Sequence, residues 1–338
     1  MPVSALRGLT AATFLALTAS AAAAQTPMAF TLDWKFEGPA APYTLAIEQG
    51  FYADEGLTVE ISEGNGSLDA IPKVATGAFP VGFTDVSSLM KFLDQNPDAP
   101  VTAVMMIYDK PPFAVVGRKS LGIEEPKDLE GKVLGAPPPD GAWAQFPIFA
   151  AEQGLDMDQI TIDPVGFPVR EPMLAEGKVA AVTGFSYTSS LSTERLGVPA
   201  DDLTVLLMAD YGVELYGNAI IVNTDFAEAN PEAVTGFIRA TARGWKEAIA
   251  DPEAAIATLA SRNPASDSAL EQRRLMLSVE GNVLTDYVRE HGMGNIDPER
   301  FARSIEQTKT VYDFQSEPDA ARFFDASYLP DDGSLMIE

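Results

Sequence analysis

Pro72-Lys-Val-Ala-Thr-Gly77 leading into Gly82-Phe-Thr-Asp-Val-Ser-Ser-Leu89 is matched by Pro172-Met-Leu-Ala-Glu-Gly177 leading into Gly184-Phe-Ser-Tyr-Thr-Ser-Ser-Leu191, and the first halves lie 100 residues apart. In each copy a short helix stops at a Gly suited to positive φ. An apolar run then forms a strand, and Ser or Thr is placed to cap the next helix. Five of the eight residues of Gly82–Leu89 recur in Gly184–Leu191. Internal duplication is the reading taken, with chance likeness between Ala-, Gly- and Ser-rich stretches as its competitor. Two α/β lobes of one design follow from it. Strands that end at helix N-termini aim backbone N–H groups into the cleft between such lobes, which makes a binding site before any side chain is considered.

Around this unit the chain alternates as an α/β protein should. Phe30-Thr-Leu-Asp-Trp34 reads as a strand, a Gly38-Pro39 loop follows, Pro42 to Gln49 reads as a helix, and Leu57-Thr-Val-Glu-Ile61 alternates as a second strand. Ser67 or Asp69 then caps the helix that ends at Gly77. This order predicts parallel pairing with helical crossovers. Val101 to Tyr108 is an apolar run expected as a buried central strand, and Phe113 to Gly117 is another beyond Pro111-Pro112. The Pro pair marks the first crossing between lobes, near 109–117, and a return is expected near 211–221. The predicted organisation is 1–24 signal peptide, 25–112 first part of lobe one, 113–215 lobe two, and 216–338 the return to lobe one. From Asn230-Pro-Glu onward the pattern is helical. Val234, Phe237, Ile238 and Trp245 share a face, with Leu270 to Leu284 and Asp297 to Val311 as further amphipathic stretches, together a helical cover.

The first 24 residues have the form of an export signal, with Arg7 as their one charge, an apolar stretch from Leu9 to Ala19, and small residues up to Ala24. That stretch is shorter than the ~20 residues a spanning helix needs. Cleavage before Gln25 is expected. There is no cysteine, so neither a disulfide framework nor a lipid-bearing cysteine is available. The formal net charge of −26 argues against nucleic acid and anionic membranes as partners.

Leu32-Asp33-Trp34, the turn Glu48-Gln-Gly-Phe-Tyr-Ala-Asp-Glu-Gly-Leu-Thr-Val59 and the Gly64-Asn-Gly-Ser67 loop give the chain a resemblance to a known family. It resembles the periplasmic binding proteins of thiamine-pyrimidine, nitrate, sulfonate and taurine uptake systems, a family that includes fungal thiamine-pyrimidine synthases. The likeness extends through Asn230-Pro-Glu to Phe324-Asp-Ala-Ser-Tyr-Leu-Pro330. It implies the two-lobed α/β periplasmic binding protein fold (type II-like) with two crossing segments at a hinge. It implies also a monomer that binds a small molecule between its lobes, uses no cofactor, and delivers its solute to an inner-membrane ABC permease. Pyrimidine-binding relatives tend to follow Leu-Asp-Trp with Pro-Asn and a His, whereas this chain reads Lys35-Phe-Glu-Gly-Pro39. The cysteine-rich motif and histidine of the fungal enzymes are missing, so their chemistry is not carried over.

Fifteen positions are candidates for the cleft. Asp33 and Trp34, at the end of the first strand, offer an acceptor and a stacking face, or a turn and a core ring. Ser67, at a helix start, presents N–H groups or simply caps. Thr84, Asp85 and Ser87 in one duplicated unit, and Gly184, Phe185 and Tyr187 in the other, occupy corresponding places in facing lobes, with capping as the alternative. Tyr108 ends an apolar run near the crossing. Asp140 sits in a Pro-rich loop and Trp143 after it, a rim of the cleft or a surface loop with a core Trp. Arg170 faces either a ligand carboxylate or its neighbour Glu171. Tyr216 and Asn218 lie on the return crossing, as cleft residues or as core and turn.

An enzyme is disfavoured by the lack of cysteine, by the single His291 in the late helical region, and by the absence of a phosphate loop or zinc-ligand pattern. A ligand-sensing partner of a membrane receptor is a third reading. Candidate aromatics combined with Asp33, Asp85 and Asn218 suit a flat ring bearing N–H donors, so a pyrimidine-like heteroaromatic is favoured over a sulfonate, nitrate or carboxylate anion.

Overall fold

The computed structural model of the chain describes residues 1 and 25–337, so the expected signal peptide, Met1 apart, lies outside the described residues. The first sheet is built from β1 (Thr26–Thr31), α1 (Ala41–Glu48), α2 (Phe51–Asp54), β2 (Leu57–Ser62), α3 (Ser67–Ala75), β3 (Val81–Asp85), α4 (Val86–Gln95) and β4 (Val101–Met106). The chain then forms a second sheet with β5 (Phe113–Arg118), β6 (Val133–Gly135), α5 (Gly141–Glu152), β7 (Thr161–Asp163), α6 (Phe167–Ala175), β8 (Ala181–Phe185), α7 (Ser186–Arg195) and β9 (Leu203–Leu207). It returns through β10 (Asn218–Asn223), followed by α8 (Thr224–Ala229), α9 (Pro231–Ala250), α10 (Pro252–Ala257), α11 (Ser268–Ser278), α12 (Asp286–His291), α13 (Pro298–Lys309) and α14 (Ala320–Phe323).

The strand orders are β2-β1-β3-β10-β4 and β7-β6-β8-β5-β9. These are the same arrangement twice. In each, three strands pair in parallel through helical crossovers, as expected. The strand entering after a crossing between sheets, β10 or β5, then inserts antiparallel to both neighbours, which the expectation of parallel pairing did not include. The repeat runs α3-β3-α4 against α6-β8-α7, with element lengths of 9, 5 and 10 residues in both copies and a constant offset of 100. Aligning Gly82 with Gly184 is therefore two residues out of structural register. Thr84, Asp85 and Ser87 are the counterparts of Gly184, Phe185 and Tyr187, so the second copy replaces a capping acid by a phenyl ring.

Other local expectations need correction. The first strand ends at Thr31, which leaves Asp33 and Trp34 in the bend that follows. Val101–Met106 is an edge strand, not a central one. All six of its residues are nevertheless buried, because later segments bridge to it at Ala103–Phe324 and Met106–Gly294. Neither Ser67 nor Asp69 caps α3. Its N-cap is Gly66, at φ 98°, and Ser67 Oγ instead accepts the N–H of Asp85 at 3.2 Å.

The helical cover packs where its periodicity places it. Val234, Phe237, Ile238 and Trp245 of α9 are buried against the first sheet, with Phe237 edge-on to Phe30 at 5.3 Å and Trp245 edge-on to Tyr43 at 5.9 Å. Removing side chains of this size from water stabilises the fold by roughly 1.5–3 kcal/mol each. The chain passes between the sheets over residues 107–112 and 208–217, and the two passages touch. Gly217 N donates to Tyr108 O at 2.9 Å, and a Cβ at Gly217 would lie 2.7 Å from that of Tyr108. Any substitution there would push the two crossings apart.

Candidate functional site

Two adjoining cavities lie between the sheets and share Asp33, Trp34, Phe185 and Thr188 in their walls. The Asp33–Trp34 bend is held by the Gly64–Gly66 loop. Gly64 N donates to Trp34 O at 3.1 Å and Gly66 N to Asp33 O at 2.7 Å. A Cβ on Gly64 would come within 2.0 Å of Leu32 O, so this loop can close on the bend only without a side chain there. Across the cleft, a Cβ on Gly66 would fall 2.4 Å from Pro139 O, which shows how closely the two halves approach.

The first cavity is surrounded by the starts of four helices. Ser67 opens α3, Gly141 opens α5, Phe167 opens α6, and Thr188 lies in the first turn of α7. Four N-terminal dipoles thus converge, each worth about 0.3–1 kcal/mol toward negative charge. One is already answered, because Asp140 accepts the N–H of Ala142 at 3.3 Å as the N-cap of α5. Arg170 is answered too: it pairs with Glu171 at 2.6 Å and faces Asp140 at 3.8 Å. Its guanidinium also lies 5.6 Å from the Trp34 ring and 5.3 Å from Phe167, while Trp34 and Phe167 meet edge-to-face at 4.6 Å. The second cavity is more apolar, walled by Tyr43, Phe83, Tyr108, Phe185 and Tyr187, with Glu37 as a second acid beside Asp33. Tyr187 and Tyr108 are bonded hydroxyl to hydroxyl at 3.1 Å across the cleft, and Thr188 Oγ1 donates to Glu37 at 3.2 Å.

Burial governs the acids. It pushes the Asp33 carboxyl up to about 7, helped by the nearby charges of Asp140 and Asp85 and opposed by the amide of Asn218, which donates to Asp33 Oδ2 at 2.7 Å. Burial likewise raises Glu37 against the pull of Arg274, and Asp140 against that of Arg170. Burial opposes the charge on Arg170, yet Glu171 and Asp140 outweigh it and raise its pKa. Four polar atoms at or near the cavity wall remain without a hydrogen-bond partner: Trp34 Nε1, Tyr43 Oη, Asn218 Oδ1 and Ser87 Oγ. The Trp34 nitrogen is close enough to Glu37 to hold its carboxyl down, but lacks the geometry of a hydrogen bond. Orphaned groups of this kind are rare in folded interiors.

Of the candidates read from the sequence, Asp33, Trp34, Ser67, Tyr108, Asp140, Arg170, Phe185 and Tyr187 are brought together in the cavity walls. The other seven are not among the lining residues. Thr84 donates to Ser67 O at 3.0 Å behind the wall. Asp85 is spent on capping α4, accepting from Ser87 N and Ser88 N, and on accepting Gln145 Nε2 at 2.7 Å from the opposite half. Ser87 is buried in the first turn of α4. Trp143 stacks on Phe146 at 5.8 Å. Gly184 lies against Arg170, where a Cβ would sit 2.2 Å from Ser189 Oγ and 3.1 Å from Arg170 Nη1. Tyr216 is core, its ring 4.1 Å from the Arg300 guanidinium and its hydroxyl accepting Asp297 N at 2.9 Å. Asn218 stands behind Asp33. Glu37, Phe167 and Thr188 line the cavities and were not among the candidates. The constant offset of 100 would have found Phe167 opposite Ser67, whereas nothing local marks Glu37.

The sequence matches the family described as NMT1/THI5 like over residues 39–255. It is 27% identical over 298 residues to the riboflavin-binding protein RibY of Chloroflexus aurantiacus, across 86% of this chain and 82% of that one. It is 27% identical over 248 residues to the formylaminopyrimidine-binding protein of Halalkalibacterium halodurans, across 71% and 72%. It also matches a 4-amino-5-hydroxymethyl-2-methylpyrimidine phosphate synthase of Aspergillus parasiticus, at 28% identity over 70% of each. In fold it is similar to the periplasmic aliphatic sulphonate binding protein SsuA of Escherichia coli, with a TM-score of 0.69 at 14% identity over 90% of this chain and 99% of that one. The doubled sheet topology, the cleft between the sheets and the extent of the sequence match lead to one assignment: the chain belongs to the NMT1/THI5-like family.

Proposed function

We propose that the protein is the solute-binding component of an ABC-type importer. It would be exported to the periplasm, act there as a monomer without a cofactor, capture a planar nitrogen heterocycle between its two halves, and deliver it to an inner-membrane permease. The observation that carries this reading is the pair of joined cavities, walled by aromatic rings from both halves and edged by Asp33 and Glu37. A flat ring gains from contact with Trp34, Tyr108, Phe185 and Tyr187, while its N–H groups meet the acids. Asp33, titrating near 7, presents either an acceptor or an acid proton, so it matches a ring edge that alternates donors and acceptors. The riboflavin- and formylaminopyrimidine-binding relatives support this class.

The converging helix N-termini favour a second reading, a small sulfonate or nitrate. Against it, such an anion would meet Asp33, Asp140 and Glu37 with Arg170 already engaged by Glu171 and Asp140. The non-enzymatic reading also fits the synthase match, because His291 is half-exposed beside Tyr287 and does not line the cavities.

Thermal denaturation in the presence of riboflavin, formylaminopyrimidine, an alkanesulfonate and nitrate tests the proposal. A ligand at 100 times its Kd stabilises the folded state by about 2.7 kcal/mol. Stabilisation by a heterocycle, confirmed by calorimetry, is the expected result. A strong effect of sulfonate or nitrate with none from the rings would overturn it.

A further inference from the structure

A third space borders the second cavity. An open groove shares Lys35 and Glu37 with it and lies between Arg195 and Leu196, at the end of α7 and just beyond it, and the Arg262–Ser266 loop of the other half. Its charged residues divide into two groups. Its carboxylates are committed: Glu63 to Lys35 at 3.4 Å, Glu171 to Arg170 at 2.6 Å, Glu271 to Arg274 at 2.5 Å, and Glu37 to Arg274 at 3.5 Å and to Thr188. Two of its arginines are not. Among the described residues, neither Arg195 nor Arg262 has a carboxylate within 4.0 Å, in a chain of net charge −26 where acids greatly outnumber bases.

Arg262 is held in place. Its guanidinium sits 5.3 Å from the Phe36 ring, and the adjacent Asn263 side chain donates to Phe36 O at 3.2 Å, so this loop is tied to the segment carrying Lys35 and Glu37. Arg195 is brought near from the other half. There Glu194 binds Arg273 at 2.7 and 3.2 Å and Ser192 accepts from Arg274 at 2.7 Å. The ring cavity and a groove with two uncommitted guanidiniums therefore adjoin at Lys35 and Glu37, which line both.

The geometry points to a second subsite, in which Arg195 and Arg262 take a phosphate on a flexible arm of the heterocycle. This rests on the ring-binding reading and extends it: the preferred solutes are phosphorylated forms. Guanidinium forks match phosphate oxygens in pairs, and at this degree of exposure the two contacts together are worth about tenfold in affinity, declining with salt.

The test compares riboflavin with flavin mononucleotide, and 4-amino-5-hydroxymethyl-2-methylpyrimidine with its phosphate monoester, by calorimetry on the native chain and on an R195A/R262A double variant. Both side chains are exposed, so the variant should fold normally, which its melting temperature checks. The expected result is that the phosphate form of whichever ring binds is about tenfold tighter at low ionic strength. The gain should shrink at high salt and vanish in the double variant, with the unphosphorylated ring unaffected. Equal binding of the two forms to the native chain, or an equal loss for both in the variant, refutes the subsite and leaves the ring reading standing. If no member of either pair binds, the ring reading itself fails and the subsite with it.

Discussion

Replacing Asp33 by Asn should make the protein more stable, and by an amount that depends on pH. In the folded chain the Asp33 carboxyl is pushed up to about 7 by burial, against an ordinary value of 3.8. A group whose folded pKa is raised binds its proton more tightly when folded. Between pH 4 and 7 the unfolded chain is ionised while the folded chain holds the proton, so stability falls as pH rises through that window and levels off above it. The shift of about three units corresponds to roughly 4 kcal/mol at full extent. Asp33→Asn removes this cost while keeping the shape of the side chain. Its carbonyl can still accept the Asn218 amide. Asp85, Asp140 and Glu37 are raised by burial too, so the native profile alone does not isolate one acid. The difference between variant and native does. Urea denaturation at intervals from pH 4 to 8.5 should show the variant nearly equal to the native chain at pH 4 and more stable by about 2–4 kcal/mol at pH 8. A difference that stays constant across this range would refute the reasoning.

Asp85→Ala removes a helix cap and the bond to Gln145, so stability should drop by about 2 kcal/mol in denaturation while the ring ligand still binds. Lost binding with unchanged stability would place Asp85 in the site after all. Gly64→Ala would set a methyl against Leu32 O, so the Asp33–Trp34 bend must shift. A stability loss of about 1–3 kcal/mol together with weakened ligand affinity is expected, and native-like affinity in calorimetry would count against the role given to this loop.

The fold was legible because it is written in backbone-level signals that survive without neighbours: Gly at helix ends, apolar runs of strand length, and a unit that recurs. Those signals locate elements but not their partners. Nothing in Val101–Met106 distinguishes an edge strand covered by Phe324 and Gly294 from a central strand, since both demand the same apolar run. The antiparallel insertion of β5 and β10 is likewise a consequence of the chain crossing between sheets twice, which no local pattern encodes. Half of the candidate site was legible for a related reason. Residues at the ends of strands and the starts of helices, such as Asp33, Ser67, Asp140 and Phe185, face the cleft wherever such elements converge. Polar residues one position further into the same elements, such as Thr84 and Ser87, carry the same apparent promise but point into the interior.

The acids around the cleft show why counting carboxylates does not identify a ligand. Asp85 and Asp33 sit on adjoining elements, both buried and both raised, yet one accepts from two backbone N–H groups, a hydroxyl and an amide, whereas the other accepts one side-chain amide and borders open space. Glu37 is intermediate, sharing Thr188 with the opposite half and lining both the ring cavity and the groove. The bonds Glu37–Thr188 and Tyr108–Tyr187 join the two halves through side chains that also form the cavity wall. In the proposed hinge motion, opening the cleft therefore breaks buried wall contacts, while a bound ring supports the same side chains from within. The bidentate Arg273–Glu194 bridge at the rim is partly exposed and contributes less than a buried contact. Closure and ligand capture would then draw on one set of contacts, the buried ones at Glu37 and Tyr108, while the rim sets how charged solutes approach.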